Sequence, residues 1–379
     1  MIKLGIDLIN NNLDLFKNKR VGLITNPTGI DSNFESTIDV LNNKVNLVAL
    51  FSPEHGIRGS LQAGVNLGTY VDDKTGITVF SLYGSTRRPS KEMLDNIDIL
   101  CIDIQDVGSR FYTYIYTMAY AMQACKEYNK EFVVFDRPNP CNAKDFEGNI
   151  LDIKYRSFVG YYPILQRHGL TIGELSKLFN EEFEINCKLH VIKMENYDRS
   201  LYFEDTKKLW VLPSPNIPTP SSTIVYNCTC IFEGTNVSEG RGTTTPFEIV
   251  GAPYIDPEKL SEKMNSFNFK GVYFRPQYFT PTFSKHKDVL CGGVFLHILN
   301  RNEFTPVKVG WTMLEVIRTM YFANFQVNSP YREGGNTMLE YNTGTNKIKN
   351  HELSLKEQMT IIDNDTNEFA KIRNKYLLY

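Results

Sequence analysis

Through the first half of the chain, short apolar runs alternate with segments whose apolar residues recur at three- and four-residue steps. Positions 20–26, 45–51, 78–82, 97–103 and 132–136 have the length and composition of strands. Between most of them lie segments with helical spacing. One runs over 32–41, another over 111–128, where Ile115, Met118, Ala119 and Met122 share a face. Strands this continuously apolar, separated by helices, belong to a parallel sheet covered on both faces. The expected architecture is therefore α/β, a doubly wound, Rossmann-like sheet.

The polar residues gather at the ends of these runs. Asn26, the pair Glu54-His55, the trio Asp103, Gln105 and Asp106, and the trio Asp136, Arg137 and Asn139 each follow closely on a strand. Open α/β sheets bind ligands outside the carboxyl ends of their strands, so these loops point at one crevice. No Gly-x-Gly-x-x-Gly follows the first strand and no Walker A sequence occurs, which argues against a dinucleotide or nucleoside triphosphate held in the usual way. The proline-dense stretch 213–220 suits neither a helix nor a central strand and marks a boundary. The expected domains are 1–220, carrying the site, and 221–379, a smaller α+β unit that closes the cleft. Strand-like pieces at 272–274 and 293–298 and a helix over 309–321 belong to the second.

Composition narrows the function class. The chain has 379 residues, 42% of them hydrophobic, and a net charge of −2, enough for a large core and without the basic excess of a bulk nucleic-acid binder. No run of about 20 apolar residues is present, so no membrane span is expected. The opening residues lack a basic segment followed by an apolar one. The location expected from the chain as it stands is cytoplasmic, or periplasmic or secreted if a signal has been removed. The cysteines, seven and dispersed, favour a reducing compartment. Neither Cys228-Thr229-Cys230 nor the six scattered histidines have metal-ligand spacing, and no metal or cofactor is expected. The 21 Tyr, 24 Phe and 2 Trp serve either as core filler or as flat faces for sugars or bases.

Four constellations carry candidate chemistry. Residues 52–59 put Glu54, His55 and Arg58 at a strand end, where a carboxyl aimed into a water-poor cleft gains proton affinity. The competing reading has Glu54 capping a helix or pairing with Arg58. Asp103, Asp106, Arg110 and Tyr112 surround an expected helix start. An arginine there opposes the helix dipole, so Arg110 needs an anionic partner: Asp103, Asp136 or a substrate carboxylate. Asp136, Arg137 and Asn139 occupy a loop stiffened by two prolines. Glu233, Asn236, Glu239 and Arg241, with His168, line the crevice from the second domain or form a self-satisfied surface loop. With no nucleophile elbow and no metal site, placed carboxyls suit acid-driven cleavage of a glycosidic bond.

Seven segments in order then carry a resemblance: Thr25-Asn26-Pro27-Thr28-Gly29, Ser52-Pro53-Glu54-His55-Gly56, Asp103-Ile104-Gln105-Asp106-Val107-Gly108, Asp136-Arg137-Pro138-Asn139-Pro140, Arg167-His168-Gly169-Leu170-Thr171, Pro213-Ser214-Pro215-Asn216, and 232–242. Together they resemble the domain-of-unknown-function 1343 family, associated with exo-acting β-N-acetylmuramidases of the NamZ type. The resemblance implies a Rossmann-like domain and a smaller one with the active site between them. It also implies removal of terminal non-reducing N-acetylmuramic acid from peptidoglycan fragments, with Glu54 in the position of the family's proposed catalytic acid.

The expected enzyme is thus a glycoside hydrolase acting on peptidoglycan-derived saccharides or muropeptides. Glu54 protonates the leaving oxygen, and His55 and Asp106 orient it or the water. Arg110 or Arg137 binds the lactyl carboxylate, and tyrosines pack against the sugar. Asn26, Arg58, Asp103, Asp136, Asn139, His168, Glu233, Asn236, Glu239 and Arg241 complete the expected binding surface. The rivals are a lyase or hydrolase acting on another amino-sugar acid, and a muropeptide-binding protein without turnover.

Overall fold

A computed structural model describes residues 1–53, 56–58, 68–84 and 87–379. The first half holds β1 (Arg20–Thr25), α1 (Thr37–Lys44), β2 (Asn46–Ser52), β3 (Tyr70–Val71), β4 (Thr78–Ser81), α2 (Lys91–Leu94), β5 (Ile99–Asp103), α3 (Tyr114–Glu127), β6 (Glu131–Phe135), α4 (Ile172–Glu181) and β7 (Lys188–Ile192). The strands form one seven-stranded sheet in the order β3-β4-β2-β1-β5-β6-β7, parallel throughout except where β3 meets β4. With the two-residue β3 set aside, the parallel strands counted along the chain run 3-2-1-4-5-6, the Rossmann order.

Both faces of this sheet are covered, and the two-residue repeat of a strand decides what goes where. Ile99 and Cys101 of β5 enter the hydrophobic cluster on one face, while Leu100 and Ile102 enter the cluster on the other. The second cluster does not stop at the sheet. It continues from Ile102 and Met118 to Trp311, Leu339 and Ile362 in the second half.

The second half holds α5 (Pro220–Thr229), β8 (Ile249–Ala252), α6 (Pro257–Asn265), β9 (Val272–Phe279), β10 (Cys291–Ile298), α7 (Pro306–Met320), α8 (Met338–Thr343) and α9 (Leu355–Arg373). Its strands form an antiparallel sheet in the order β8-β10-β9. The proline-dense stretch does reach a helix, because Pro220 is the first residue of α5 and its missing N–H costs nothing there.

Several bonds tie the halves together. The α7 N-cap, Thr305, makes no side-chain cap bond. Glu147 does the capping from the first half, accepting from Val307 N at 3.2 Å and Lys308 N at 3.0 Å. Beyond α9 the chain returns to the sheet. Arg373 donates to Gly169 O at 2.8 Å, and the Tyr379 hydroxyl donates to Asp136 Oδ2 at 2.7 Å.

Two elements depart from the sequence reading. The helix expected over 32–41 begins at Thr37, because Asp31 Oδ1 accepts from Asn33 N and Glu35 N and holds 31–35 as a turn, and Ser36 caps the shortened helix. The helix expected from 111 begins at Tyr114. Before it, Gly108 sits at φ +77°, and a Cβ there would lie 2.4 Å from Asn139 Oδ1.

Candidate active site

The order of the sheet reverses between β1 and β5, and the carboxyl ends of those strands frame the crevice. The protein's own groups occupy much of it. Arg137 binds Asp103 through both Nε (2.5 Å) and Nη2 (2.7 Å) and donates to Ile30 O. Thr37 donates to the same carboxylate, and Thr25 to the Asp103 carbonyl at 2.8 Å. Asp103 and Arg137 are thus a buried, mutually bonded pair, with Arg137 also lining a small pocket beside Thr28 and Gln105. Asn26 is beside them. Its Oδ1 accepts from Thr28, while its buried Nδ2 has no partner among the described residues.

Asp136 and Asn139 also serve the fold. Burial pushes the Asp136 carboxyl up to about 6, against the bonds it accepts from Tyr379, Gly173 and Thr171. Asn139 bridges Leu170 O and Cys141 N at 2.9 Å each. Arg110, expected to face an anion at a helix start, lies in the loop before α3 and is fully buried. It donates to the carbonyls of Asn149, Ile164 and Asn342, at 2.7, 2.8 and 3.0 Å, and so pins the second half to the first. Arg58 forms a fork with Asp72 at 2.6 and 2.9 Å on the β3–β4 side of the sheet.

Asp106 and His168 form a buried pair. His168 Nδ1 accepts the Leu170 N–H at 3.2 Å, which assigns the ring proton to Nε2, 3.3 Å from Asp106 Oδ2. Gly108 N donates to the same oxygen at 2.7 Å. Asp106 Oδ1 has no partner among the described residues. His168 is fully buried, and its Nε2 makes no hydrogen bond to the described residues. Glu54 and His55 lie outside the described residues. They come directly after β2 and Pro53, and the flanking Gly56, at φ +80°, donates its N–H to Pro53 O at 3.4 Å.

A cleft of about 180 Å³ opens between the halves, lined by Tyr112 from the loop before α3, Tyr226 from α5, Asn216, Asn342, Glu233 and Arg241. Arg241 Nη2 donates to Glu233 Oε1 at 2.6 Å, and its Nε lies 3.3 Å from Glu239 Oε1. Its guanidinium lies over the Phe247 ring, 5.0 Å from the centroid. Burial opposes the charge on Arg241, but Glu233 and Glu239 outweigh it and raise its pKa. Glu239 also binds Lys285 at 2.8 Å, so both of its oxygens are taken. Asn236 does not reach the cleft. It accepts from the Tyr254 hydroxyl and Gln326 N and donates to Asn324 O, fastening a loop.

The sequence reading thus found Tyr112, Glu233 and Arg241 of the cleft and missed Tyr226, Asn216 and Asn342. Tyr226 lies inside α5 and Asn342 inside α8, and nothing local to either segment marks it as facing a cleft. Among the described residues no group of three His, Cys, Asp or Glu could hold a metal ion, and no helix is long and apolar enough to cross a membrane.

Comparison with known proteins places this cleft in context. Residues 21–221 match the family model for the N-terminal part of the exo-beta-N-acetylmuramidase NamZ, and residues 224–379 that for its C-terminal part. The chain is 49% identical over 384 residues to the peptidoglycan beta-N-acetylmuramidase NamZ of Bacillus subtilis (strain 168), covering 100% of this chain and 91% of that one. Two crystal structures of DUF1343 family proteins from Bacteroides fragilis NCTC 9343 superpose on the whole chain, each with 99% of its own length. Their TM-scores are 0.92 and 0.77, at 37% and 32% identity.

Proposed function

The chain belongs to the exo-beta-N-acetylmuramidase NamZ family, and from that premise we propose how its cleft releases terminal N-acetylmuramic acid from peptidoglycan fragments. The protein is a glycoside hydrolase. The observation that carries this is identity to a named peptidoglycan muramidase along the entire chain.

Glu54 is the general acid. In sequence it follows two residues after the end of β2, the strand beside β1 in the sheet. The acid donates its proton to the leaving oxygen as the glycosidic bond breaks. Asp106, held by the Gly108 amide with His168 Nε2 3.3 Å from the same oxygen, offers Oδ1 to the positive charge growing on the sugar ring or to the incoming water. Tyr112 and Tyr226 give the sugar flat walls, and Arg241 receives the lactyl carboxylate, since it lines the cleft whereas Arg110 and Arg137 do not.

Assay of Glu54→Gln on a chromogenic β-N-acetylmuramide and on natural disaccharide tests this mechanism. The wild-type protein releases the aglycone. The variant keeps its melting temperature and loses about 10²–10⁴ in kcat on the disaccharide, with a smaller loss on the aryl glycoside, whose leaving group needs less protonation. Near wild-type turnover of the disaccharide by Glu54→Gln would move the acid elsewhere. Release of lactate in place of aglycone, or tight binding without turnover, would refute hydrolysis itself.

A further inference from the structure

Beside the cleft lies a strip of rings that the reaction as described does not use. The segment from Ser157 to Gly160 is a tight turn closed by reciprocal backbone bonds of 2.8 and 3.3 Å. Val159 of this turn lines the cleft, next to Tyr112 and Tyr114. Phe158, its neighbour, stacks on Tyr120 of α3 with centroids 6.1 Å apart and planes 6° apart. Tyr161 stands edge-on to Tyr120 at 5.0 Å. Val159 at the cleft wall and its neighbour Phe158 against Tyr120, six positions and a rise of about 9 Å along α3 from Tyr114, connect the cleft to this strip.

Two arginines border the rings. The Arg87 guanidinium lies over Phe158, 4.1 Å from its centroid, and that of Arg156 lies over Tyr161 at 4.7 Å. Both act on one ring: burial raises the Tyr120 pKa, and Arg87 and Arg156 pull it the other way. Neither arginine pairs with a carboxylate among the described residues, although acidic residues slightly outnumber basic ones, 43 to 41. Most arginines of this protein do pair; adjacent Arg88 binds Glu127, and Arg58 binds Asp72. Guanidinium groups resting on aromatic faces, with no carboxylate partner among the described residues, have their planes fixed by the rings and suit a bidentate carboxylate ligand.

We propose that this strip is the subsite for the leaving side of the substrate. The rings fix the guanidinium planes of Arg87 and Arg156, and these bind a carboxylate on the chain beyond the cleaved bond, borne by a further muramic acid. The inference rests on the muramidase reading and adds a source of chain-length preference to it. The cleft alone accounts for the sugar that is released; the strip accounts for what it is released from.

Three substrates and one double variant test this. Wild-type and Arg87→Gln/Arg156→Gln protein are assayed on the disaccharide N-acetylmuramyl-N-acetylglucosamine, on the peptide-free tetrasaccharide that repeats it, and on the same tetrasaccharide bearing stem peptides. In the wild type, kcat/KM on the peptide-free tetrasaccharide exceeds that on the disaccharide by about five- to tenfold, mostly through KM, and the advantage shrinks as salt rises. In the double variant the ratio falls to near one. A ratio dependent on the arginines only when peptides are present assigns the carboxylate to the peptide and overturns the muramic acid as its source. An unchanged ratio in the variant, or no tetrasaccharide preference in the wild type, overturns the subsite while leaving the reaction intact. Failure of the wild type on the disaccharide overturns the muramidase reading and the subsite with it.

Discussion

Arg241 holds the cleft's only guanidinium among the described residues, between two carboxylates that keep it charged and a phenyl ring that fixes its plane. Its Nη1 makes no hydrogen bond to the described residues, so one edge is available to a bidentate anion. Arg241→Lys keeps the charge and loses the fork. The wild type should prefer N-acetylmuramic over N-acetylglucosamine glycosides by about a hundredfold, from a charged hydrogen bond of roughly 2–3 kcal/mol. In the variant that preference falls about tenfold or more, through KM on the muramide, while kcat/KM on the glucosaminide changes little. Equal losses on both sugars would make Arg241 a support for Glu233 and not a specificity residue. Local sequence does not distinguish Arg241 from Arg110 and Arg137. The carbonyl that occupies Arg110 belongs to Asn342, 232 residues further on, and Asp103 is 34 residues from Arg137. Residue type at a strand end was legible; which donors the fold had already spent was not.

Elements whose partners are local were the readable ones. Central strands such as β1 and β5 are buried along their length and announce themselves as apolar runs. The edge strands β3 and β7 were missed because they bury less; β7, Lys-Leu-His-Val-Ile, is fully buried only at Ile192. The start of α3 was placed too early because nothing local shows that Gly108 needs a left-handed backbone against Asn139. The start of α7 has a support that no local reading contains. Glu147, 160 positions before Val307, satisfies its first amides. Glu147→Ala removes both bonds and should lower stability by about 1–2 kcal/mol, read as a lower urea midpoint at unchanged slope. A loss below about 0.3 kcal/mol would mean that water replaces the cap.

Across the whole molecule, the Rossmann-like order of the first half was readable from the alternation of strand and helix, whereas the union of the halves was not. A proline-dense stretch looks like a seam between independent units, and the family models divide close to it, between 221 and 224. Yet one hydrophobic cluster crosses that seam, and Arg110, Glu147 and Arg373 bond across it from buried positions. We therefore expect the full chain to unfold in one transition. Residues 1–220 expressed alone should lack a cooperative melt, since the surface beneath Trp311 and Ile362 would face water. Two separated transitions in calorimetry, or a sharp melt of the fragment, would restore the two units as independent.

The anchoring of Tyr379 beneath Asp136 also bears on how the protein is made. Chain elongation delivers the sheet early, and amino-terminal units ordinarily fold while the remainder is still being translated. Here β6 emerges with the carboxyl of Asp136 at its end, and the hydroxyl that meets that group is 243 residues away. The alcove around Asp136, Gly169 and Met194 stays unsealed until α9 and the residues after it have left the ribosome. The nascent sheet therefore stays partly open while the next 243 residues are made, and a helper that shields such surfaces would raise the yield of active protein more than its equilibrium stability suggests.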